Sequence, residues 1–398
     1  MAAKQSSERM SSVEVADGGS VATRISKAGP DGTTLSRLGN TDSDDQNMRA
    51  LGRQQELSAS SIQVFTFIPT LGFSCTMMNT WELTLMTSSY SLTMGGLAGM
   101  VWGYTIVCFG YLLVFASLAE MASMTPTSAA QYHWVSEFGP PGQQRFLSYV
   151  AGWTAVLGWQ AGMATITYVV AGMIQGTIAL CYPDTYVSQN WHLAILTVGV
   201  NAYCVLFNTS LVRRLPMVEG VVLIMHILGF FVVLVPLWTL APRTDPARVF
   251  TEFMNLGGWS SQGLSFVIGL TVPAYNLFGA DAPVHMAEEV REAAVMVPRA
   301  MMWAYIINAA QAWVLVVSLC FCIGDLEEVL QSPTGVAYIQ VFQNVTQSAA
   351  ATAAMVAMIA VCLTSAAIAT LAAMSRLTWA FARDRGLPCS AWIAHVRL

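Results

Sequence analysis

The sequence carries few charged residues for its length. Of 398 residues, 18 are Lys or Arg and 23 are Asp or Glu, a charged fraction of 10 %, against roughly 25 % in an ordinary soluble domain. Hydrophobic residues make up 55 % of the chain. So few polar groups cannot cover a soluble globule of this size, which excludes a soluble enzyme and a coiled coil. The net charge of −5 leaves no basic surface for nucleic acid.

The chain also lacks the residue patterns of a metal site or an enzyme. Its eight cysteines show no disulfide framework, and Cys320-x-Cys322 lies in an apolar run, which favours core packing over metal binding. We find no nucleophile–base pair, no His/Cys set with metal-ligand spacing and no phosphate-binding loop. The sequence therefore predicts no catalytic residue, no metal and no cofactor.

Lysine is nearly absent, and its two positions, Lys4 and Lys27, fall in the first 60 residues. This segment is rich in Ser, Gly, Asp and Arg and has no apolar stretch, so it is not a signal peptide. Its composition predicts a disordered tail over 1–60.

After the tail come long uncharged runs. A membrane-spanning helix needs about 20 apolar residues, and dividing the runs at Gly, Pro and Ser clusters predicts eight spans between residues 61 and 398. We therefore predict an all-α polytopic membrane protein. The expected spans are 62–88, 96–124, 146–178, 191–211, 217–241, 262–284, 299–323 and 346–375.

The distribution of arginine predicts the orientation. An even number of spans puts both termini on one side. With the N-terminus in the cytoplasm, nine of the basic residues after the tail fall on the inner side and two, Arg243 and Arg248, on the outer side. Cytoplasmic loops carry the excess of Lys and Arg. We expect the plasma membrane, with the vacuolar membrane as the alternative.

Two of the spans have interrupted patterns. Span 6 contains Pro273, Gly279 and Pro283, and span 1 has Gly72 followed by a polar stretch around Ser74 and Asn79. Interrupted helices five spans apart are typical of transporters built from an inverted repeat, in which unwound backbone binds the solute. An ordinary proline kink is the alternative.

Few titratable groups lie inside the spans. His226 is flanked by apolar residues in span 5, where it is a candidate for moving protons or a neutral, hydrogen-bonded histidine. Asp281, Glu288 and Glu289 at the inner end of span 6 are interpreted as gate charges. Glu82 is expected near the outer end of span 1, facing a vestibule or water.

The chain resembles the amino acid–polyamine–organocation permeases, in the fungal branch of GABA, choline and amino acid permeases. The resemblance runs from about Ala50 to the C-terminus and depends on the order and spacing of several stretches. These are ALGRQQEL at 50–57, LAEMASMTPTS at 118–128, QYHWV at 131–135, GWxxxLGWQ at 152–160, GADAPVHMAEEV at 279–290, VPRAM at 297–301 and SRLTWAFARDRGLP at 375–388.

The resemblance implies two inverted five-helix repeats, usually within twelve spans, with the solute between the breaks of spans 1 and 6. It implies that a solute carboxylate contacts span 1 amides and an amine contacts span 6 carbonyls. Similar proton-coupled relatives have a lysine in span 5 that reaches the span 1 break, and His226 aligns with it. The implied solute-contacting residues are Cys75, Thr76, Met77, Met78, Asn79, Tyr275, Asn276, Phe278 and Gly279.

Two features depart from the family pattern. The usual Ser-Gly-Gly after span 2 is Ser128-Ala129-Ala130 here, and the added methyl groups restrict the backbone. Relatives also continue for four spans beyond the position of Leu398. We therefore expect about eight of the usual twelve spans, an incomplete second repeat, and a truncated gene model, splice form or fragment that transports poorly alone.

The function expected on this basis is secondary transport of an amino acid or small amine, such as GABA, choline or a polyamine. The coupling ion is expected to be H⁺, with Na⁺ left open. Aromatic residues near the breaks, Trp81, Tyr275 and Phe278, would suit a cationic amine. The alternative is a membrane receptor or regulator that does not transport. The expected partners are the solute and the lipid bilayer, without nucleic acid.

Overall fold

The computed structural model describes residues 65–211, 214–332 and 335–395. The expected tail at 1–60 therefore lies outside the described residues. Within the described part the regular elements are helices, and Phe65 and Val290 form an isolated β-bridge. The all-α fold is the one that the composition predicts.

Six helices are long and apolar enough to cross a membrane, and each covers one of the expected spans. In chain order they form span 2, span 3, span 4, span 5, span 7 and span 8. Their bounds are Ser88–Met124, Gln144–Cys181, Asn190–Ser210, Leu215–Leu240, Ala293–Cys322 and Ala349–Arg383.

Spans 1 and 6 are the two that are divided into shorter helices. Span 1 consists of a first half, Phe67–Met78, and a second half, Thr80–Met86, on either side of Asn79. Span 6 consists of Gln262–Gly269 and Thr271–Asn276, followed by non-helical residues 277–281 and the short helices Ala282–His285 and Ala287–Glu289. The interruptions fall five spans apart, as an inverted repeat predicts.

Short helices occupy the connections between the spans. One follows span 2, one lies between spans 5 and 6, two lie between spans 7 and 8, and one follows span 8. They are Gln131–Phe138, Pro246–Thr251, Leu326–Leu330, Ala337–Thr346 and Ser390–Ile393.

Spans 7 and 8 are the most buried of the long helices, whereas span 4 is mostly exposed. Span 1 packs against spans 5, 7 and 8, so its break lies inside the bundle. Span 4 is therefore on the outside of the bundle, whereas the break of span 1 is enclosed by spans 5, 7 and 8.

Three helices extend well beyond the expected spans. Span 2 begins at Ser88 rather than 96, with non-helical backbone at Gly96. Span 7 begins at Ala293 rather than 299 and contains Pro298. Span 8 continues to Arg383 rather than ending at 375. The helix of span 8 continues past Arg376. Both Arg376 and Arg383 pair there with acidic residues at the end of span 6.

The start of span 1 is tied to the end of span 6 by backbone hydrogen bonds. The Phe65 amide donates to the Glu289 carbonyl at 3.1 Å, and the Arg291 amide donates to the Phe65 carbonyl at 3.2 Å. These bonds hold the ends of the two interrupted spans together, on the side that the arginine distribution predicts to be cytoplasmic.

Candidate functional site

The break in span 1 is centred on Asn79, which adopts a left-handed conformation with φ 37° and ψ 47°. Asparagine tolerates this conformation better than most residues. Its amide donates to the Cys75 carbonyl at 3.1 Å, and its side-chain Nδ2 donates to the Cys362 carbonyl of span 8 at 2.7 Å. The break is therefore anchored to span 8 by the residue that forms it.

Asn308 of span 7 braces the same break from another side. Its Oδ1 accepts from the Thr80 amide at 3.1 Å, and its Nδ2 donates to the Cys75 carbonyl at 3.3 Å. An unsatisfied backbone group in an apolar environment costs several kcal/mol. One side chain thus satisfies backbone groups on both sides of the break.

The break of span 6 lies directly against that of span 1. Gly279 has φ 101°, and a Cβ atom added there would lie 2.3 Å from the Met77 sulfur. A residue with a side chain would be strained at this φ and would also collide with Met77. The two breaks are therefore in contact. The residues that touch, Met77 and Gly279, are both among those implied to contact the solute.

Asn276 links span 6 to the second half of span 1. Its Nδ2 donates to the Thr87 hydroxyl at 2.8 Å and to the Thr84 hydroxyl at 3.3 Å. A cavity of about 10 Å³, room for one water molecule, lies beside these residues between the second half of span 1, span 2, span 6 and span 7.

Aromatic side chains surround the span 6 break. Phe278 packs on Trp159 of span 3 with ring centroids 5.0 Å apart, and the Trp159 ring meets His285 edge-on at 5.1 Å. Trp81, named above as suited to a cationic amine, has its indole buried against His226 of span 5. Trp159 belongs to the span 3 motif of the sequence, but that motif did not indicate its position beside the break.

Glu219 is the residue of span 5 that reaches the span 1 break. Its fully buried carboxylate accepts a very short hydrogen bond from the Thr76 hydroxyl and a bond of 3.4 Å from the Ser365 hydroxyl of span 8. Among the described residues, none of the ion pairs involves Glu219. The site therefore combines hydroxyl groups from two spans with an acid that has no cationic partner there.

His226 lies seven residues, about two helical turns, after Glu219 on span 5, and its alignment with the lysine of relatives stays a prediction. His226 pairs with Glu82, whose carboxylate lies 2.8 Å from Nδ1. Glu82 is fully buried in the second half of span 1, so the expectation that it faces a vestibule or water is wrong. The sequence shows that both residues are intramembrane, but not that they meet.

The acidic residues at the end of span 6 are paired with arginines of span 8. Arg376 donates to Glu289, and Arg383 donates to Glu288 at 3.2 Å. Glu288 also accepts from the Ser128 hydroxyl at 2.5 Å. This charged network joins span 6, span 8 and the loop after span 2, where the sequence departs from the usual Ser-Gly-Gly.

Asp281 lies between the solute region and the charged network. It accepts a very short hydrogen bond from Gln131 and lies 3.9 Å from the His285 Nε2 atom. The other ring nitrogen of His285 faces the Ser128 carbonyl at 3.1 Å. The three expected gate residues, Asp281, Glu288 and Glu289, thus contact groups from the loop after span 2 or from span 8.

The chain matches the family model of amino acid permeases over residues 65–397. This protein belongs to the amino acid permease family. Membership places it among transporters rather than enzymes, in an integral multi-pass membrane architecture.

Named relatives within the permease family are fungal. A provisionally named amino acid/polyamine transporter of Macrophomina phaseolina is 32 % identical, with 82 % of this chain and 72 % of the relative covered. The choline transporter of Saccharomyces cerevisiae is 28 % identical, with 82 % and 58 % covered. The GABA-specific permease of the same yeast is 30 % identical, with 89 % and 62 % covered. The chain thus matches between 58 % and 72 % of the length of these relatives.

The buried charged network generates a stability prediction. A double-mutant cycle with Glu289→Gln and Arg376→Gln should give a coupling free energy of about 1.5–3 kcal/mol, because the pair is largely withdrawn from water. Denaturant titration of the detergent-solubilised permease would measure it. Arg248 and Glu252 provide the control, since this exposed pair should couple by less than about 0.5 kcal/mol. Equal coupling in both pairs would contradict the assignment.

Proposed function

We propose that this permease carries a small amine or amino acid between the breaks of spans 1 and 6. Family membership supports transport as the activity, and the contact between Met77 and Gly279 supports the position of the site. Since these residues touch, the structure corresponds to a closed state. Solute entry requires the two interrupted spans to separate at their breaks.

The surroundings of the break favour a solute with a positively charged end. Phe278, Trp159 and Tyr275 offer aromatic faces, and a cation is attracted to such faces by about 0.5–2 kcal/mol. Asp281 supplies a nearly buried carboxylate beyond them. The names of the relatives include choline, GABA and polyamines, and each of these solutes has a cationic end.

The charged network is proposed to close the cytoplasmic side of the solute pathway. It joins Glu288 and Glu289 to Arg383 and Arg376 next to the backbone bonds between Phe65 and span 6. Opening toward the cytoplasm would break these pairs, and their re-formation would close the pathway. The cytoplasmic orientation itself comes from the positive-inside distribution of arginine.

Coupling to protons is proposed to act through Glu219. A buried carboxylate without a cation is costly when ionised, so it favours a bound proton or a bound cation. Its contacts with Thr76 and Ser365 join the solute region of span 1 to span 8. A change in its charge would therefore be felt at the break where the solute binds.

The transport proposal is tested by uptake into proteoliposomes. We expect saturable uptake of at least one of labelled choline, GABA, putrescine and a neutral amino acid. Gly279→Ala should abolish it, because the added methyl group collides with Met77 and the backbone is strained. Gly172→Ala is the control, since nothing lies near its Cβ position. Binding without uptake of any of the four solutes would favour a receptor or regulator instead.

The coupling proposal predicts a specific defect for Glu219→Gln. The amide keeps the size and hydrogen bonds of the carboxyl but cannot release a proton, so a pH gradient should no longer drive uptake while solute counterflow continues. Glu120→Gln, at an exposed position in span 2, should leave the pH response intact. Uptake driven by a sodium gradient, and lost in Glu219→Gln, would overturn the proton assignment.

A further inference from the structure

The loop after span 2 holds a residue in a backbone conformation that its side chain disfavours. Ala130 has φ 46° and ψ −124° and is fully buried. At a positive φ a Cβ atom crowds the backbone, and outside the small left-handed helical region this conformation belongs to glycine. That region, with ψ from 25° to 48°, is occupied by Asn79, Glu292, Gln347 and Cys389. Ala130 lies outside it and is therefore strained.

Ala130 lies where a turn becomes a helix. Its amide donates to the Thr127 carbonyl at 2.9 Å, and its carbonyl accepts from the Trp134 amide at 3.0 Å. The combination of φ and ψ is close to that of the first central residue of a type II′ turn, where glycine is the usual residue. A strained conformation of this kind persists only where the surrounding contacts impose it.

The chain before Ala130 is held by the inner end of span 6. The Ser128 hydroxyl donates to Glu288 at 2.5 Å, and the Ser128 carbonyl lies 3.1 Å from Nδ1 of His285. Ser128 is buried, so both contacts are shielded from water. This segment therefore follows span 6 wherever the inner end of that span moves.

The chain after Ala130 is held by spans 3 and 8. The Tyr132 hydroxyl donates to Asp384, directly after span 8, at 2.9 Å. The Tyr132 carbonyl accepts from the Ser148 hydroxyl of span 3 at 2.7 Å, and the Tyr132 ring packs on Phe381 of span 8 with centroids 5.1 Å apart. This segment therefore follows spans 3 and 8.

Ala130 is the junction between these two segments. The side chain of Gln131 also reaches Asp281 of span 6, but its rotatable bonds leave the backbone at Ala130 free to turn. Opening of the cytoplasmic side separates the inner end of span 6 from span 8, because it breaks the pair of Glu288 and Arg383. The strain at Ala130 is imposed while both segments are docked, and it relaxes when span 6 moves away.

We propose that Ala130 is a strained junction that favours opening of the cytoplasmic side of the permease. The closed arrangement carries the strain and the open arrangement does not. Glycine at this position tolerates the same φ without strain, so Ala130→Gly should shift the equilibrium toward the closed arrangement. The proposal rests on the proposed closure of the solute pathway by the charged network.

The test uses the full chain, purified in detergent, with a reporter thiol introduced by Ala287→Cys. Ala287 lies at the inner end of span 6 and is 3 % exposed, so a polar maleimide reaches it when this side opens. Peptide mass spectrometry gives its labelling rate relative to native Cys389, which is exposed after span 8. Adding Ala130→Gly should lower this ratio about five- to tenfold, because relief of the strain stabilises the closed arrangement.

The matched control is Ala129→Gly in the same reporter chain. Ala129 is also fully buried but has no positive φ, so glycine there relieves no strain and only adds backbone freedom. Its ratio should not fall. An unchanged ratio in Ala130→Gly, or an equal fall in both variants, overturns the proposal.

Thermal denaturation of the same variants locates the strain. Ala130→Gly should raise the midpoint temperature, because the closed arrangement loses its strain, whereas Ala129→Gly should lower it. A higher midpoint of Ala130→Gly with an unchanged labelling ratio would show that the strain persists in the open arrangement, which also overturns the proposal.

A further variant separates this proposal from the proposed closure. Arg383→Gln removes one pair of the charged network, so it should raise the labelling ratio of the reporter. If it does and Ala130→Gly does not lower the ratio, the strained junction fails and the closure stands. If Arg383→Gln leaves the ratio unchanged, the closure fails and the strained junction fails with it. Labelling requires no solute, so neither result depends on which solute is carried.

Discussion

The structure depends on the need to satisfy backbone groups where a helix is interrupted inside an apolar bundle. Asn79 and Asn308 meet this need for span 1, because they bond to the Cys362 and Cys75 carbonyls and to the Thr80 amide. The two asparagines fix the position of the break between spans 7 and 8. The contact of the break with Gly279 and the placement of Glu82 and Glu219 follow from that position.

The buried acids differ in what neutralises them. Glu288 and Glu289 are paired with arginines that keep their charge, so each pair attracts as long as its carboxylate is ionised. Glu82 is paired with a histidine, and Glu219 contacts hydroxyl groups. Their charge can change by exchange of a proton. The first group fits the proposed closure of the pathway, and Glu219 fits the proposed coupling.

Much of the architecture could be predicted from the sequence, because the length of the apolar runs determines where helices cross. Proline alone does not determine where they break, since Pro298 lies within the continuous helix of span 7. The polar contacts could not be predicted, since they join residues such as Glu82 and His226 that are 144 positions apart. The sequence showed polar Asn308 and Gln311 within apolar span 7, a signal that intramembrane polar groups have a role. It could not show that Asn308 faces the break of span 1 or that Gln311 faces His226. For the same reason the sequence could not show that Glu219, rather than His226, contacts Thr76.

The most direct test of the account is equilibrium binding of the transported solute to purified Asn308→Ala permease. Asn308 binds both sides of the span 1 break and lies outside the residues implied to contact the solute. If the braced break forms the site, solute affinity should fall at least tenfold while the protein remains folded and monodisperse, because the Thr80 amide and Cys75 carbonyl lose their shared partner, at a cost of about 1–3 kcal/mol. Unchanged affinity in a folded Asn308→Ala protein would contradict the account.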